Sequence, residues 1–290
     1  WRRTRGCRTQ AVHPTGAPAL SDAPLLSVIV PAYDEERTIE HVLRRVLAHV
    51  PRLLEIVVVD DGSSDRTPEI VRALCAEDDR VRLIAQERNA GKTAAVRRGL
   101  QEIRGELVIV QDADLEYDPV EIADMIQPIL EGRADVVYGS RFLVRKTARV
   151  LYFHHYLANK TITLLSNVLT NRNWSDVETC YKAFRTCVIQ PIELKSSGFG
   201  MEVEITALVS KTIARTYEVP ISYYGRTYEE GKKIGFTDAV AAVWYILRDN
   251  LVTPWLPRGR RYRRTVNEAL APLHAELLAE SAAAWPTDRS

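Results

Sequence analysis

The stretch Val108-Ile109-Val110-Gln111-Asp112-Ala113-Asp114 is the natural starting point for interpreting this sequence. Its first four residues have the apolar, β-favouring character of a buried strand. Asp112 and Asp114 follow at the carboxyl end of that strand, where open α/β sheets bind ligands. Because neighbouring carboxylates repel each other without a cation between them, the pattern favours a divalent ion that also holds a diphosphate. Turn and capping roles for Asp114 and Asp118 are the alternative.

Strand-like and helix-like segments alternate on both sides of this stretch. Apolar runs predict strands at residues 25–30 (ended by Pro31), 56–59, 81–85, 108–111, 136–138 and 213–223. Apolar residues recur at helical spacing between the first five strands, over residues 25–140. Since these strands are apolar throughout, helices should cover both faces of the sheet. The prediction is an α/β fold with a mostly parallel, Rossmann-like sheet flanked by helices.

Composition excludes several functional classes. The 290 residues are 46% hydrophobic and 27% charged, with a net charge of +1, as in ordinary globular proteins. The four cysteines show no Cys-x-x-Cys spacing, so a zinc site or disulfide framework is not expected, and a reducing cytoplasm fits. No apolar run approaches the ~20 residues that span a bilayer. The basic runs are terminal and carry no recognition motif, so nucleic-acid binding is not predicted.

Five short motifs, in this order and spacing, resemble those of the family 2 glycosyltransferases. They are SVIVPAYDEE at 27–36, VVDDGSSD at 58–65, NAGK at 89–92, DAD at 112–114 and GSRF at 139–142. DVETCYK at 176–182, EVPI at 218–221, and Arg226 with Lys232 are similar to the dolichyl/polyprenyl-phosphate sugar transferase branch, which includes dolichol-phosphate mannosyltransferase-like enzymes. The resemblance covers about residues 25–250 and implies a GT-A fold.

The resemblance implies a donor site for a nucleotide sugar, with GDP-mannose or UDP-glucose expected. The residues implied in donor binding are Pro31, Tyr33, Glu35, Asp61, Lys92, Asp112, Ala113 and Asp114. Asp61 would hydrogen-bond the base or ribose, and Lys92 would either touch the donor phosphate or lie exposed at a helix start. The implied ligands of Mg²⁺ or Mn²⁺ are Asp112, Asp114 and Glu116, although the branch often has glutamine in place of Glu116.

The implied acceptor is a polyprenyl (dolichyl or undecaprenyl) phosphate. Such a phosphate is already ionised near neutral pH, since its second pKa is ~6, and needs cationic positioning rather than a protein base. The implied acceptor-phosphate residues are Ser140, Arg141, His155, Asn159, Lys160, Arg226 and Lys232, and the implied catalytic residues are Asp114, Arg141, Arg226 and Lys232. The dolichol branch carries arginine and serine where this chain has His155 and Asn159. An ion pair with Asp135 or another acid is the alternative role for Arg141.

Two other functions stay open. A glycan or small-alcohol acceptor would need a general base, because an alcohol is a poor nucleophile. The carboxylates available for that role are Asp176, Glu178, Glu202 and Glu204. The chain could also bind a nucleotide sugar without catalysis, and loss of Asp112 or Asp114 would indicate that, but both are present. Cys180 and Cys187 are expected to be small core residues.

The chain is expected to divide into four segments. Residues 1–24 form a disordered basic leader, and residues 25–235 form the GT-A domain, with a nucleotide-sugar half at 25–142 and an acceptor half at 143–235. Residues 236–257 form an amphipathic helix that packs on its own core by default, or else lies on the membrane surface or in a homo-oligomer interface. Residues 258–290 hold a basic cluster and a helical tail that Pro272 should kink. A cytoplasmic protein, peripheral on the inner face of the cell membrane, is predicted.

Overall fold

Seven strands of the described residues form one mixed sheet. The computed structural model describes residues 23–143, 152–225 and 236–284. The strands are β1 (Leu26–Ala32), β2 (Leu53–Asp60), β3 (Val81–Ala85), β4 (Leu107–Val110), β5 (Val136–Ser140), β6 (Lys182–Arg185) and β7 (Thr216–Pro220). Their order is β3-β2-β1-β4-β6-β5-β7, and only β6 runs antiparallel to its neighbours. The predicted mostly parallel sheet is confirmed.

Helices cover both faces of this sheet. They are α1 (Ile39–His49), α2 (Thr67–Glu77), α3 (Lys92–Glu102), α4 (Ile122–Leu130), α5 (Phe153–Thr170), α6 (Thr186–Ile189), α7 (Met201–Val209), α8 (Phe236–Leu247) and α9 (Pro257–Ala284), with a π-helical segment at Arg248–Val252. Val28 and Val30 of β1 face a core that includes α1 and α4, whereas Ile29 faces a core that includes α3, α7 and α9. This alternation follows from the two-residue period of a strand.

Pro31 lies within β1, although the sequence predicted that it would end the strand. Pairing between β1 and β4 stops at Ile29 and Val110, while β1 continues beside β2 to Ala32. The peptide groups of Ile29 and Pro31 point toward β4, so the N–H that proline lacks would have no strand partner there. The first strand can therefore extend into the site.

The carboxyl-terminal part of the chain differs from the prediction in two ways. The basic cluster is part of α9, which begins at Pro257 and includes Pro272. The apolar stripe of α8 does not simply pack on its own core, because Val240, Val243 and Trp244 are exposed while Ala242 and Ile246 are buried. The default interpretation of that stripe is therefore wrong for its outward side chains.

Several predictions concern residues for which no structure is described. The predicted leader apart from residues 23–24, and the acceptor residues Arg226 and Lys232, lie outside the described residues. Among the helices that are described, none is both long and apolar enough to cross a bilayer.

Candidate active site

A cleft of about 300 Å³ lies beyond the carboxyl ends of β1, β2, β4 and β5. It is the place where a mostly parallel sheet binds ligands. Ten of the predicted site residues line it: Pro31, Tyr33, Glu35, Asp61, Lys92, Asp112, Ala113, Asp114, Glu116 and Arg141. It is also lined by Ala32, Ala95, Tyr117, Glu178, Cys180, Glu202 and Tyr223. The structure thus gathers the predicted donor residues and one predicted acceptor residue in a single cavity.

The turn that carries the two aspartates is held from beneath by Gln111. The buried Gln111 amide donates to the carbonyl oxygens of Asp112 (3.0 Å) and Tyr117 (3.3 Å), and its Oε1 accepts from the Tyr181 hydroxyl at 2.8 Å. Within the turn, Asp114 Oδ1 accepts the Glu116 N–H. The side chain of Gln111 therefore holds the turn at residues 112–117, and the Asp112 and Asp114 carboxylates have defined positions.

Lys92, at the first position of α3, lies against Asp112. Its Nζ is 2.7 Å from Asp112 Oδ1, 3.0 Å from Cys180 Sγ and 3.8 Å from Glu202 Oε1. Burial acts to lower the pKa of Lys92, but the neighbouring Asp112, Cys180 and Glu202 side chains together outweigh it and hold that pKa well above its usual range. The alternative of an exposed Lys92 is wrong, because its ammonium is the cation that balances Asp112 in this structure.

Asp61 shapes the loop before α3. Its carboxylate accepts from the Gln86 side chain at 2.7 Å and from the backbone N–H groups of Ala90 (2.9 Å) and Gly91 (2.7 Å). Gly91 has a φ of 88°, in the left-handed region that favours glycine. Asp61 therefore orders the NAGK loop, and its predicted contact with a base or ribose remains a prediction.

Tyr33 and Glu35 lie at the open side of the cleft. Tyr33 is 38% exposed and lines the cleft with an aromatic side chain. Glu35 Oε2 accepts the Thr38 hydroxyl at 2.8 Å, and its backbone N–H donates to the Thr67 hydroxyl. These contacts hold the β1–α1 loop in place beside the end of β1.

Arg141 forms the basic end of the cleft. Its Nε and Nη2 donate to the two Asp176 oxygens at 2.7 and 2.8 Å, and its backbone N–H also donates to Asp176. The guanidinium lies 5.0 Å from the centroid of the Tyr223 ring. Although burial opposes it, the charge of Arg141 keeps the pKa of Asp176 below its usual range. The acid that pairs with Arg141 is therefore Asp176 and not Asp135, since Asp135 instead pairs with Arg215, Arg185 and His274.

Ser140 and Lys160, two further predicted acceptor residues within the described part of the chain, lie outside the cleft lining. Ser140 is fully buried, and its hydroxyl contacts Ser175 Oγ at 2.6 Å and accepts the Phe142 N–H. On α5, Lys160 Nζ donates to the Ser175 carbonyl at 3.2 Å and lies 4.2 Å from the centroid of the Phe142 ring. Ser140 and Lys160 thus support the turn that bears Arg141.

His155 and Asn159 are half-buried residues of α5. Asn159 Oδ1 accepts from the Thr163 hydroxyl one turn later, at 3.4 Å. Neither side chain lines the cleft in this structure. Their predicted contact with an acceptor phosphate therefore remains a prediction.

The floor of the cleft includes residues whose place the sequence did not indicate. Cys180 packs against the core, as Cys187 does, but it also lines the cavity. Its Sγ lies 3.4 Å from Glu202 Oε1. Glu178 and Glu202 also line it, and burial, followed by the charge of Glu202, raises the pKa of Glu178 to about 8. The sequence signal was present, since Glu178 and Cys180 lie within the DVETCYK motif, but that motif does not show which side chains face inward.

The donor set of the cleft suits a hard divalent ion. Seven acidic side chains and two basic side chains line it: Glu35, Asp61, Asp112, Asp114, Glu116, Glu178 and Glu202, with Lys92 and Arg141. An excess of carboxylates cannot receive a diphosphate without further positive charge. Within the described residues, no three carboxylate, histidine or cysteine side chains form a ready metal cage, and Glu116 instead accepts the Tyr223 hydroxyl at 2.8 Å. Mg²⁺ characteristically uses one or two carboxylates with phosphate oxygens, so Asp112 and Asp114 fit.

Comparisons with known proteins identify relatives of this chain. The chain is 32% identical over 215 residues to a dolichol-phosphate mannosyltransferase of Pyrococcus furiosus, covering 73% of this chain and 60% of the relative. It is 40% identical over 214 residues to an undecaprenyl-phosphate 4-deoxy-4-formamido-L-arabinose transferase of Pseudomonas aeruginosa, covering 72% and 60%. The chain thus spans about three fifths of the length of these relatives.

A solved structure shows the same fold. Glucosyl-3-phosphoglycerate synthase of Mycobacterium tuberculosis, crystallised with Mn²⁺, UDP and phosphoglyceric acid, has a TM-score of 0.62 at 19% identity, covering 85% of this chain and 86% of that one. At this identity the likeness concerns the fold, and the predicted GT-A fold is confirmed. The model of the family described as "Glycosyl transferase family 2" matches residues 27–190, more than half of the sequence. The chain belongs to glycosyl transferase family 2.

Proposed function

We propose that this chain transfers a sugar from a nucleotide sugar to the phosphate of a polyprenyl phosphate. The observation that carries the proposal is that one cleft joins the Asp112 and Asp114 carboxylates to the Arg141 guanidinium. The first two suit a metal-bound donor diphosphate, and the third suits an acceptor phosphate. The dolichol-phosphate and undecaprenyl-phosphate relatives support the same class of acceptor.

The reaction is a displacement at the anomeric carbon of the sugar. An oxygen of the acceptor phosphate forms a bond to that carbon, while the bond to the donor diphosphate breaks and the nucleoside diphosphate leaves with its electron pair. Attack from the opposite side inverts the configuration. Because the acceptor phosphate is ionised near neutral pH, it needs no proton transfer to a protein base. Arg141 would orient it, with the predicted Arg226 and Lys232 beside it.

The residues at the donor end hold and neutralise the diphosphate. A Mg²⁺ or Mn²⁺ ion bound by Asp112 and Asp114 would act as a Lewis acid that offsets charge on the departing diphosphate. Lys92 lies beside Asp112 and can supply a second cation to the phosphates by a small movement of its flexible side chain. Tyr33 and Glu35 would line the nucleoside pocket, and Gln111 keeps the two aspartates oriented.

An outward apolar surface supports a lipid-bound acceptor. On α5, Phe153, Leu164 and Val168 are exposed by 73%, 64% and 71%, and α5 packs beside α8, whose Trp244 is 61% exposed. Trp255, just before α9, is 73% exposed. Aromatic and aliphatic side chains of this kind insert at the membrane interface. We propose that residues 236–257 lie on the cytoplasmic face of the cell membrane, although a homo-oligomer interface would also cover them.

Flotation with vesicles tests the membrane proposal. The wild-type chain should float with vesicles that contain anionic phospholipid, and Trp244→Ser combined with Trp255→Ser should reduce the floated fraction. Leu278→Ser, at a residue of α9 that is 71% exposed, is the matched control. Equal flotation of all three proteins would contradict a membrane role for this surface.

A radiolabelled-sugar assay tests the function. The chain is incubated with undecaprenyl phosphate, Mg²⁺ or Mn²⁺, and a panel of nucleotide sugars that includes GDP-mannose and UDP-glucose, since the relatives' names specify both a hexose and a modified pentose. Label should pass into the organic phase, and Asp114→Asn should reduce transfer at least 100-fold. Asp124→Asn, an exposed carboxylate of α4, should leave it unchanged. Failure of every donor with active lipid and metal would overturn the proposal.

A hydroxyl acceptor is a second candidate because Glu178 lines the cleft with a pKa raised to about 8 by burial. That value is suitable for a general base. If Glu178→Gln abolished transfer to a soluble alcohol or glycan while nucleotide-sugar binding stayed intact, this second function would be favoured.

A further inference from the structure

Two carboxyl groups on the floor of the cleft each have an unpaired oxygen. Glu202, in the first turn of α7, is 2% exposed, and its Oε2 has no hydrogen-bond partner within the described structure. Glu178 Oε1 is likewise shielded from solvent and has no partner there. Both residues line the cleft. A shielded oxygen without a donor is costly to the folded chain, so a donor is expected when the cleft is filled.

Among the described residues, other buried carboxylates have hydrogen-bond or ion-pair partners. Glu204, two residues from Glu202 and fully buried, accepts the backbone N–H groups of Lys195 and Ser196 and pairs with Arg248. Asp135 is satisfied by two arginines and a histidine. The two carboxyl groups with an unpaired oxygen therefore both belong to residues that line the cleft, whereas Glu204 and Asp135 do not line it.

The missing partner of the Glu202 oxygen must be a hydrogen-bond donor, whereas Glu178, whose raised pKa favours the protonated form near neutral pH, can either donate or accept. An ionised diphosphate and an ionised acceptor phosphate offer only acceptor oxygens, and their charge would be repelled by Glu202. Sugar hydroxyl groups both donate and accept. They belong to the one part of the proposed substrates that lies between the donor diphosphate at Asp112 and the acceptor phosphate at Arg141. The nucleoside also carries donors, but its predicted pocket is at Tyr33 and Glu35.

We propose that Glu178 and Glu202 form a sugar subsite that receives hydroxyl groups of the transferred sugar and thereby contributes to donor selection. This proposal rests on the proposed function, because it assumes a nucleotide sugar in the cleft. Glu202 would also keep Lys92 oriented through their 3.8 Å contact. A donor whose sugar lacks the recognised hydroxyl would leave both oxygens unpaired, and such sites reject analogues strongly.

Binding measurements separate the sugar from the nucleotide. Isothermal titration with Mn²⁺ compares UDP with UDP-glucose and GDP with GDP-mannose, for the wild type, Glu178→Leu and Glu202→Gln. We expect both variants to bind the nucleoside diphosphates within about twofold of wild type and to bind the preferred nucleotide sugar roughly tenfold more weakly. Glu121→Gln is the matched control, since that half-buried glutamate accepts the Ser222 N–H outside the cleft. It should change neither affinity.

Stability provides a second readout that does not depend on activity. Because Glu178 Oε1 has no partner, Glu178→Leu should unfold at the same or a higher temperature than wild type, whereas loss of a structural contact would lower it. An equal loss of affinity for the diphosphate and the nucleotide sugar would overturn the subsite. So would an unchanged nucleotide-sugar affinity with a lowered kcat, which would indicate a base. A wild-type chain that binds none of the four nucleotides would remove the proposed function as well.

Discussion

The two ends of the cleft balance their charges in different ways. At the donor end, the Lys92 ammonium is a point charge on a flexible side chain, shared among Asp112, Cys180 and Glu202. At the acceptor end, the planar Arg141 guanidinium makes two parallel hydrogen bonds to Asp176, which is fully buried. An ammonium can be displaced and still keep its charge nearby, but a bidentate pair holds one geometry.

This difference suggests distinct tasks. Under the proposed function, the donor end would exchange the Lys92 contact for a metal ion and a diphosphate, and later release them. The acceptor end would present an arginine at a constant position, and here the partner Asp176 is buried and the turn is braced by Ser140 and Ser175. We therefore call the donor end, where Lys92 can leave Asp112, an exchange site. We call the acceptor end, where Asp176 holds Arg141 in one position, a fixed platform.

The largest expected effect, on both stability and sugar transfer, comes from removing Arg141 from its pair with Asp176. Arg141→Ala leaves Asp176 buried without its partner, which should lower the free energy of unfolding by about 3–5 kcal/mol. Sugar transfer should fall at least 100-fold. Urea unfolding measures the first effect, and Arg44→Ala is its control, because the exposed pairs of Arg44 with Glu40 and Glu77 should contribute little to stability. Equal destabilisation by the two substitutions would contradict a fixed platform.

A smaller effect, on the affinity for Mn²⁺, is expected when Lys92 at the donor end is replaced. Lys92→Met removes the ammonium that competes for Asp112, so Mn²⁺ alone should bind roughly tenfold more tightly, which is about 1.4 kcal/mol. Titration of Mn²⁺ followed by electron paramagnetic resonance measures this directly. Lys195→Met, at an exposed lysine, controls for a general change in charge. Unchanged or weaker Mn²⁺ binding by Lys92→Met would show that the ammonium and the ion do not compete.

The smallest effect is a change in stability with pH, and it concerns Glu178 on the floor of the cleft. Because burial raises the pKa of Glu178 to about 8, its protonated form favours the folded state. That contribution is fully present below the unfolded pKa of about 4.5 and is lost as the pH rises through 8. Wild type should therefore lose about 1 kcal/mol relative to Glu178→Gln between pH 6.5 and pH 7.5, or about 2–4 °C in Tm. Parallel Tm profiles for the two proteins would contradict a raised pKa.

The donor half could be predicted from the sequence because its signals are local. Val81–Ala85 and the start of α3 at Lys92 match the prediction, since continuous apolar runs and a glycine before a helix decide them. The aspartate pair lies in the cleft because strand ends of a parallel sheet meet at one edge. Local patterns thus specify most of the fold and the donor residues.

The remaining features depend on contacts between distant parts of the chain. β6 is only four residues long and carries Lys182 and Arg185, so no apolar pattern marks it. The pairing of Arg141 with Asp176 joins positions 35 residues apart, and both Asp135 and Asp176 are chemically suitable partners. Packing likewise decides that Glu178, Cys180 and Glu202 face the cleft. The order of residue types along the chain does not reveal that direction.

The insertion of β6 between β4 and β5 has a consequence for the order in which the chain folds during synthesis. During synthesis β5 leaves the ribosome before β6, yet β5 joins the sheet through β6 and through β7. The first four strands can assemble as soon as they are made, whereas the other half must wait until residue 185 has emerged. We expect a nascent chain to complete its nucleotide-facing side first and its acceptor-facing side last, with β4 exposed as a temporary edge in the interval.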